Sequence, residues 1–172
     1  MTRIILMRHA KSSWGAPSIT DHDRPLNARG RHAARLMAEG MLVRGLLPDT
    51  ILCSSAFRAR QTLTPLLDRM DGKMSLTISR ELYEATAPDY TKLISDLAKT
   101  APNAKTVLLI GHNFAIQDAA ISFAVPDDTD TLFKLKTKFP TGAIAVLDLQ
   151  NELGACGPSS ARLFDFLRPR DL

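Results

Sequence analysis

Apolar and polar positions along this chain alternate between two periods, and the switches between them outline the fold. Short apolar runs of β type occupy residues 4–7, 50–53, 76–79, 106–110, 143–149 and 162–166. Between most of them the apolar residues recur at helical spacing. Ala33, Leu36, Met37 and Met41 form one stripe. Ala59, Leu63, Leu66, Leu67 and Met70 form a second, with Ser54 or Ser55 placed to cap its start. Tyr90, Leu93, Ile94, Leu97 and Ala98 make a third, beginning near Pro88-Asp89, and Ile116, Ala119, Ala120 and Phe123 make a fourth.

Strands alternating with helices predict an α/β domain of three layers, αβα, around a largely parallel central sheet. The last two strands are separated by a loop containing Gly and Pro rather than by a helix, so they are expected to pair antiparallel at one edge. Residues 124–141 are polar and less regular, a candidate lid or binding loop. No repeat, linker or low-complexity segment divides the chain, so residues 1–172 read as one domain.

Composition narrows the class of partner. A hydrophobic fraction of 45% is ordinary for a soluble core, and no apolar stretch approaches the ~20 residues a membrane span needs. Arg8 interrupts the first apolar run too early for a secretory signal, so a cytoplasmic protein with no membrane partner is expected. The net charge of +4 comes with interspersed acidic residues, and aromatics are only 6%, which argues against a nucleic-acid partner. Local basicity serving an anionic substrate fits better. Cys53 and Cys156 form no CxxC and no ligand set with the four histidines, so no metal and no cofactor is expected; Cys53 reads as a buried thiol.

Three predicted strands end in chemically similar places. Arg8-His9 follows the first, Ser54-Ser55-Ala56-Phe57-Arg58 the second, and Gly111-His112-Asn113 the fourth. If these strands are parallel, their ends converge on one face of the sheet, bringing together two histidines, two arginines and two helix N-termini. A phosphoryl group needs such a set: its oxygens require several cationic or N–H donors, and helix N-termini add backbone donors and a favourable dipole. Arg58 falls in the first turn of its helix, from where it reaches across a phosphate. Gly111 removes a side chain where the backbone must be approached closely.

The segments LMRHAKSSW, DHDRPLNARGRHAA, SSAFRARQT and LLIGHN, in this order, resemble the histidine phosphatase superfamily, the phosphoglycerate mutase-like branch 1. Within it they are most similar to the SixA-type phosphohistidine phosphatases. The resemblance runs from about Arg3 to Leu149. It implies a phosphoglycerate mutase-like fold, with His9 as the nucleophile that is transiently phosphorylated. It also implies that Arg8, Arg58 and His112 hold the phosphoryl oxygens. A nucleophilic His9 must be neutral, and the neighbouring guanidinium groups are expected to lower its pKa. Mutase-like members carry Gly and then Glu or Gln after Arg-His, whereas this chain has Ala10-Lys11-Ser12-Ser13; Lys11 and the hydroxyls either add anion contacts or shape the loop. Glu81 stands where the mutase-like branch has its general acid, with Glu84 as the neighbouring alternative.

Other residues carry plainer readings. His22 and His32 lie outside the converging strand ends and read as structural or surface residues. Asp21, Asp23 and Arg24 read as a salt-bridged brace. Trp14 either packs the nucleophile loop or stacks on a substrate side chain. Lys134, Lys136 and Lys138 give a basic flank that is either plain solvated surface or a dock for a substrate protein. Taken together, the expected activity is a metal-independent phosphohydrolase acting on phosphohistidine in a protein through phospho-His9. A small-molecule phosphomonoesterase and a non-catalytic phosphate-binding module are the alternatives. The oligomeric state has no signature in the sequence.

Overall fold

The structure is a computed structural model that describes residues 2–14 and 17–172. Six strands form one sheet: β1 (Arg3–Arg8), β2 (Thr50–Ser54), β3 (Ser75–Ser79), β4 (Thr106–Gly111), β5 (Ile144–Leu149) and β6 (Ala161–Leu167). Their order across the sheet is β3-β2-β4-β1-β5-β6. The pairs β3-β2, β2-β4 and β4-β1 are parallel, while β1-β5 and β5-β6 are antiparallel. The expected parallel sheet with an antiparallel edge is therefore the observed one. No helix among the described residues is long and apolar enough to cross a membrane.

The helices are α1 (Ala28–Val43), α2 (Phe57–Leu67), α3 (Arg80–Glu84), α4 (Ala87–Thr100), α5 (Ala115–Phe123) and α6 (Asp130–Thr137). Alternation along the strands decides which layer each covers. Ile5 and Met7 of β1, with Ile51, Cys53, Leu108 and Ile110, pack under Met37 and Met41 of α1 and Leu63 and Leu66 of α2. Ile4 and Leu6, with Leu109, Ala145 and Leu147, pack under Tyr90 and Ile94 of α4, Ile116 and Phe123 of α5 and Leu132 and Leu135 of α6. Both faces of the central strands are buried, which is why they read as continuous apolar runs.

Three local expectations differ from the structure. The α2 N-cap is Ala56, with no side-chain cap; Ser54 and Ser55 turn their hydroxyls to histidines instead. The 124–141 stretch is not a loose lid. Thr129 caps α6, Leu132 and Leu135 are buried, and Gln117 of α5 donates to the Leu135 and Lys136 carbonyls. The α1 stripe is also rotated, burying Ala34, Met37, Ala38 and Met41 and leaving Ala33 and Leu36 half-exposed.

Two glycines set the frame around the ends of β1. A side chain at Gly30 would run into the Lys11 carbonyl, so α1 begins hard against the loop that follows β1. Gly142 has φ +82°, a left-handed conformation natural to glycine, and its N–H lies 3.1 Å from both the Arg8 and His9 carbonyls. The Pro169 ring packs over it, 3.0 Å from where a Cβ would stand.

Candidate active site

The parallel strands β1, β2 and β4 deliver their chemistry to one edge, as their spacing predicted. The His9 N–H bonds to the Gly111 carbonyl at 3.1 Å, tying the ends of β1 and β4 together. The Ala10 N–H donates to Thr62 Oγ1 at 2.9 Å, and that hydroxyl donates to the Arg58 carbonyl at 2.7 Å. The loop carrying His9 is thereby fastened to the first turn of α2, which carries Arg58. The rings of His9 and His112 stand 5.0 Å apart at 52°. His9 and Arg58 are buried, at 8% and 6% exposure, so the Arg58 charge acts on the ring in a poorly screened setting.

The hydrogen bonds fix the form of both rings. His9 Nδ1 lies 2.7 Å from the Ala10 carbonyl, which can only accept, so Nδ1 carries the proton. Nε2 is left with its lone pair, which accepts from Arg58 Nε at 3.2 Å. His112 Nδ1 faces Arg58 Nη2 at 3.4 Å, a group that can only donate; His112 Nε2 then donates to Ser54 Oγ at 2.7 Å. Burial pushes His9 down to about 3, against the Ala10 carbonyl and helped by the charges at His112, Arg58 and Arg8. The neutral state expected from the neighbouring guanidinium groups thus owes more to desolvation than to them. His112 is pushed down to about 4, by burial first and Arg58 second.

Arg58 is held from its other side by a residue read in the sequence only as part of a brace. Asp21 accepts from Arg58 Nη2 at 3.0 Å through Oδ2 and from Arg24 at 2.7 Å through Oδ1, and its backbone carbonyl takes Arg58 Nη1. Arg24 donates to the Ser13 carbonyl and the Ser12 hydroxyl and stacks on the exposed Trp14. The Asp21–Arg24 part of the brace is real and reaches the site, whereas Asp23 pairs with His22 and Thr20 instead. Burial alone would raise the Asp21 carboxyl; the Tyr83 hydroxyl and the Arg58 and Arg24 guanidinium groups outweigh it and hold it low.

Tyr83 was not anticipated. Its hydroxyl donates to Asp21 Oδ2 at 3.0 Å, and its ring meets His112 edge-on at 5.4 Å and His22 at 4.9 Å. Burial and the Asp21 carboxylate both push the phenol up, so it stays protonated. His22, read as peripheral, lines the same wall through Ser55 at 2.9 Å, whereas His32 is an exposed residue of α1.

Glu81 is not brought to the histidine pair. On α3 it is two residues from Tyr83, about 200° around the helix at 3.6 residues per turn, so the two face opposite ways. It is exposed, and its charge acts on Lys92 of α4. Glu84 pairs with Arg80 in solvent. Gly111 is approached closely, as expected: a side chain there would collide with the Tyr90 hydroxyl. Arg8 donates to the Phe139 carbonyl at 2.7 Å, its Nε is buried without a partner among the described residues, and its charge acts on both histidines. Cys53 is buried, with its thiol pushed up to about 12, and takes no part.

Comparison with known proteins bears on the family and the fold. The family model of the histidine phosphatase superfamily (branch 1) matches residues 4–109. An uncharacterized protein of Mycobacterium tuberculosis is 37% identical over 168 residues, covering 95% of this chain and all of that one. A crystal structure described as the "putative phosphohistidine phosphatase SixA" of Agrobacterium tumefaciens is 34% identical and superposes with a TM-score of 0.80 over 98% of each chain. The protein histidine phosphatase SixA complexed with tungstate shares the fold at 22% identity, with a TM-score of 0.78 over 99% of each chain.

Proposed function

Since the chain belongs to the histidine phosphatase superfamily (branch 1), we propose that this phosphatase acts on phosphohistidine carried by a protein, through a covalent phospho-His9 intermediate. The observation that carries this reading is the fixed, neutral His9, whose Nε2 lone pair faces Arg58 while Nδ1–H is spent on the Ala10 carbonyl.

In the first step a phosphoryl oxygen accepts the Arg58 Nε hydrogen in place of His9 Nε2. The freed lone pair then attacks phosphorus. The P–N bond of the substrate breaks, its electron pair leaves with the substrate imidazole, and that imidazole takes a proton from water. In the second step water attacks the phospho-His9 phosphorus, the P–Nε2 bond breaks, and inorganic phosphate departs. Arg8, Arg58 and His112 hold the oxygens in this reading, so guanidinium groups supply the charge that a metal ion supplies elsewhere. Bound phosphate oxyanions favour protonation of His112, which then donates to the group it holds.

The choice of phosphohistidine rests on the proton supply. An alkoxide leaves poorly without a positioned acid. Among the described residues the one carboxyl touching this site is Asp21, and its ion pairs with Arg58 and Arg24 keep it ionised. An imidazole departs readily once solvent protonates it. Release of phosphate from a phosphohistidine peptide and from a panel of phosphate esters, with His9→Ala as blank, tests the proposal. Turnover of the peptide with acid-labile label on the protein is the expected result; efficient turnover of esters alone would transfer the reading to a phosphomonoesterase.

A further inference from the structure

Beside the phosphoryl site the surface opens into a cationic trough that the reaction above does not use. A cavity of about 460 Å³ is lined by Arg8, Lys11, Arg29, Lys138, Arg168 and Arg170, and no acidic residue lines it. A second cavity of about 500 Å³ continues from it, sharing Lys138, Arg168 and Arg170, and ends at the Lys134–Asp130 ion pair and the exposed ring of Phe133. Arg8 belongs to both the trough and the phosphoryl site, and Lys11 is two residues beyond His9, so the trough begins where the nucleophile loop begins.

The charges here are poorly balanced. Lys11, Arg29 and Lys138 make no ion pair or side-chain hydrogen bond among the described residues, while Arg168 is paired with Asp171, with Arg170 at the edge of the same ion pair, and Lys134 with Asp130. Arg29 also sits in the first turn of α1, which has no acidic residue there, although a helix N-terminus favours anions. A stability argument gives no reason for a cation at that place. A ligand that brings negative charge gives one.

We propose that this trough binds an acidic segment of the protein that carries the phosphohistidine, its carboxylates meeting Lys11, Arg29, Lys138 and Arg170 and an apolar side chain resting on Phe133. The proposal extends the phosphohistidine reading by naming the chemistry of the partner. Two cavities in series, cationic first and aromatic last, match an extended chain; a small phosphate ester fills only one cavity of this size.

The test separates the trough from the chemistry. A fluorescein-labelled, unphosphorylated peptide of four glutamates, a glycine and a phenylalanine is titrated with the native protein and with Arg29→Glu/Arg170→Glu. The same proteins are then assayed on free phosphohistidine and on phosphohistidine within that acidic peptide. Lys138→Glu serves as a second variant, and unchanged turnover of free phosphohistidine certifies folding.

Expected are peptide binding by the native protein, a loss of roughly tenfold in the double variant, and a KM rise confined to the acidic substrate. Failure of the native protein to bind the peptide overturns the proposal, as does binding of pyrophosphate without the peptide, or an equal loss on both substrates. If binding depends on Arg29 and Arg170 but no P–N bond is ever cleaved, the trough stands and the phosphohistidine reading falls.

Discussion

The two cationic regions at this sheet edge use the same kinds of side chain under opposite conditions. At His9 and Arg58 the charges and rings are buried, and named hydrogen bonds hold each in place. In the trough, Lys11, Arg29 and Lys138 are exposed and, among the described residues, unpaired. Burial turns a guanidinium into a positioned electrostatic tool, because it acts at low dielectric and needs no reorganisation when charge develops. Exposure leaves it a screened, adaptable attractant whose effect is felt on encounter and holding. The difference predicts which kinetic constant each region controls.

The largest effect expected is at the proposed nucleophile. His9→Ala removes turnover by roughly four to six orders of magnitude, the scale seen when a covalent nucleophile is lost. Single-turnover release of phosphate measures it, and a residual rate within tenfold of the native protein would remove His9 from the mechanism. Arg58→Ala comes next, lowering kcat roughly 100- to 1,000-fold by analogy with the loss of an oxyanion donor. Paired with Arg29→Glu, which is expected to move KM alone, it tests the division of labour directly.

Asp21→Asn keeps a hydrogen-bond acceptor for Arg58 and Tyr83 but removes the charge that orients the guanidinium. A fall in kcat of about tenfold with little change in KM is expected, from the worth of one charge-assisted hydrogen bond. Rescue by Asp21→Glu would mark the role as positioning. Raising salt from about 0.05 to 0.3 M is expected to increase KM for an acidic substrate severalfold and leave kcat flat, since exposed charges are screened and buried ones are not.

The last effect is on stability rather than on rate. His9 and His112 are neutral in the folded protein down to about pH 3 and 4, whereas in the unfolded chain they protonate near 6.5. Protons therefore bind the unfolded state preferentially as pH falls below 6.5, and stability present above that value is progressively lost toward pH 4 and 3. Thermal unfolding across this range should show the loss, and His9→Gln should flatten part of it.

Much of this architecture was legible in the pattern of the chain. The strands announced themselves because both faces of the central ones are covered, which demands apolar residues at every position rather than alternate ones. The convergence of His9, Arg58 and His112 followed from three parallel strand ends. Helix α6 escaped notice because only Leu132 and Leu135 bury on it, and Lys134 and Lys136 beside them read as loop. Asp21 and Tyr83 escaped because they are 62 positions apart and meet only through a loop and a single short helix. On that same short helix a two-residue offset decides everything: it turns Tyr83 toward His112 and Glu81 toward Lys92. The trough draws on the segment after β1, the start of α1 and the turn after β6, so no local window contains it.

Gly142 lies on the seam between the two regions. Its amide holds the carbonyls of Arg8 and His9 on one side, and the ring of Pro169, next to Arg168 and Arg170, rests on the other. A single achiral residue thus sets the spacing between His9 and the turn that carries two of the trough's cations. The surface cations can be exchanged one by one to suit a different partner. The seam tolerates no such drift, so a change of partner need not disturb the chemistry it is delivered to.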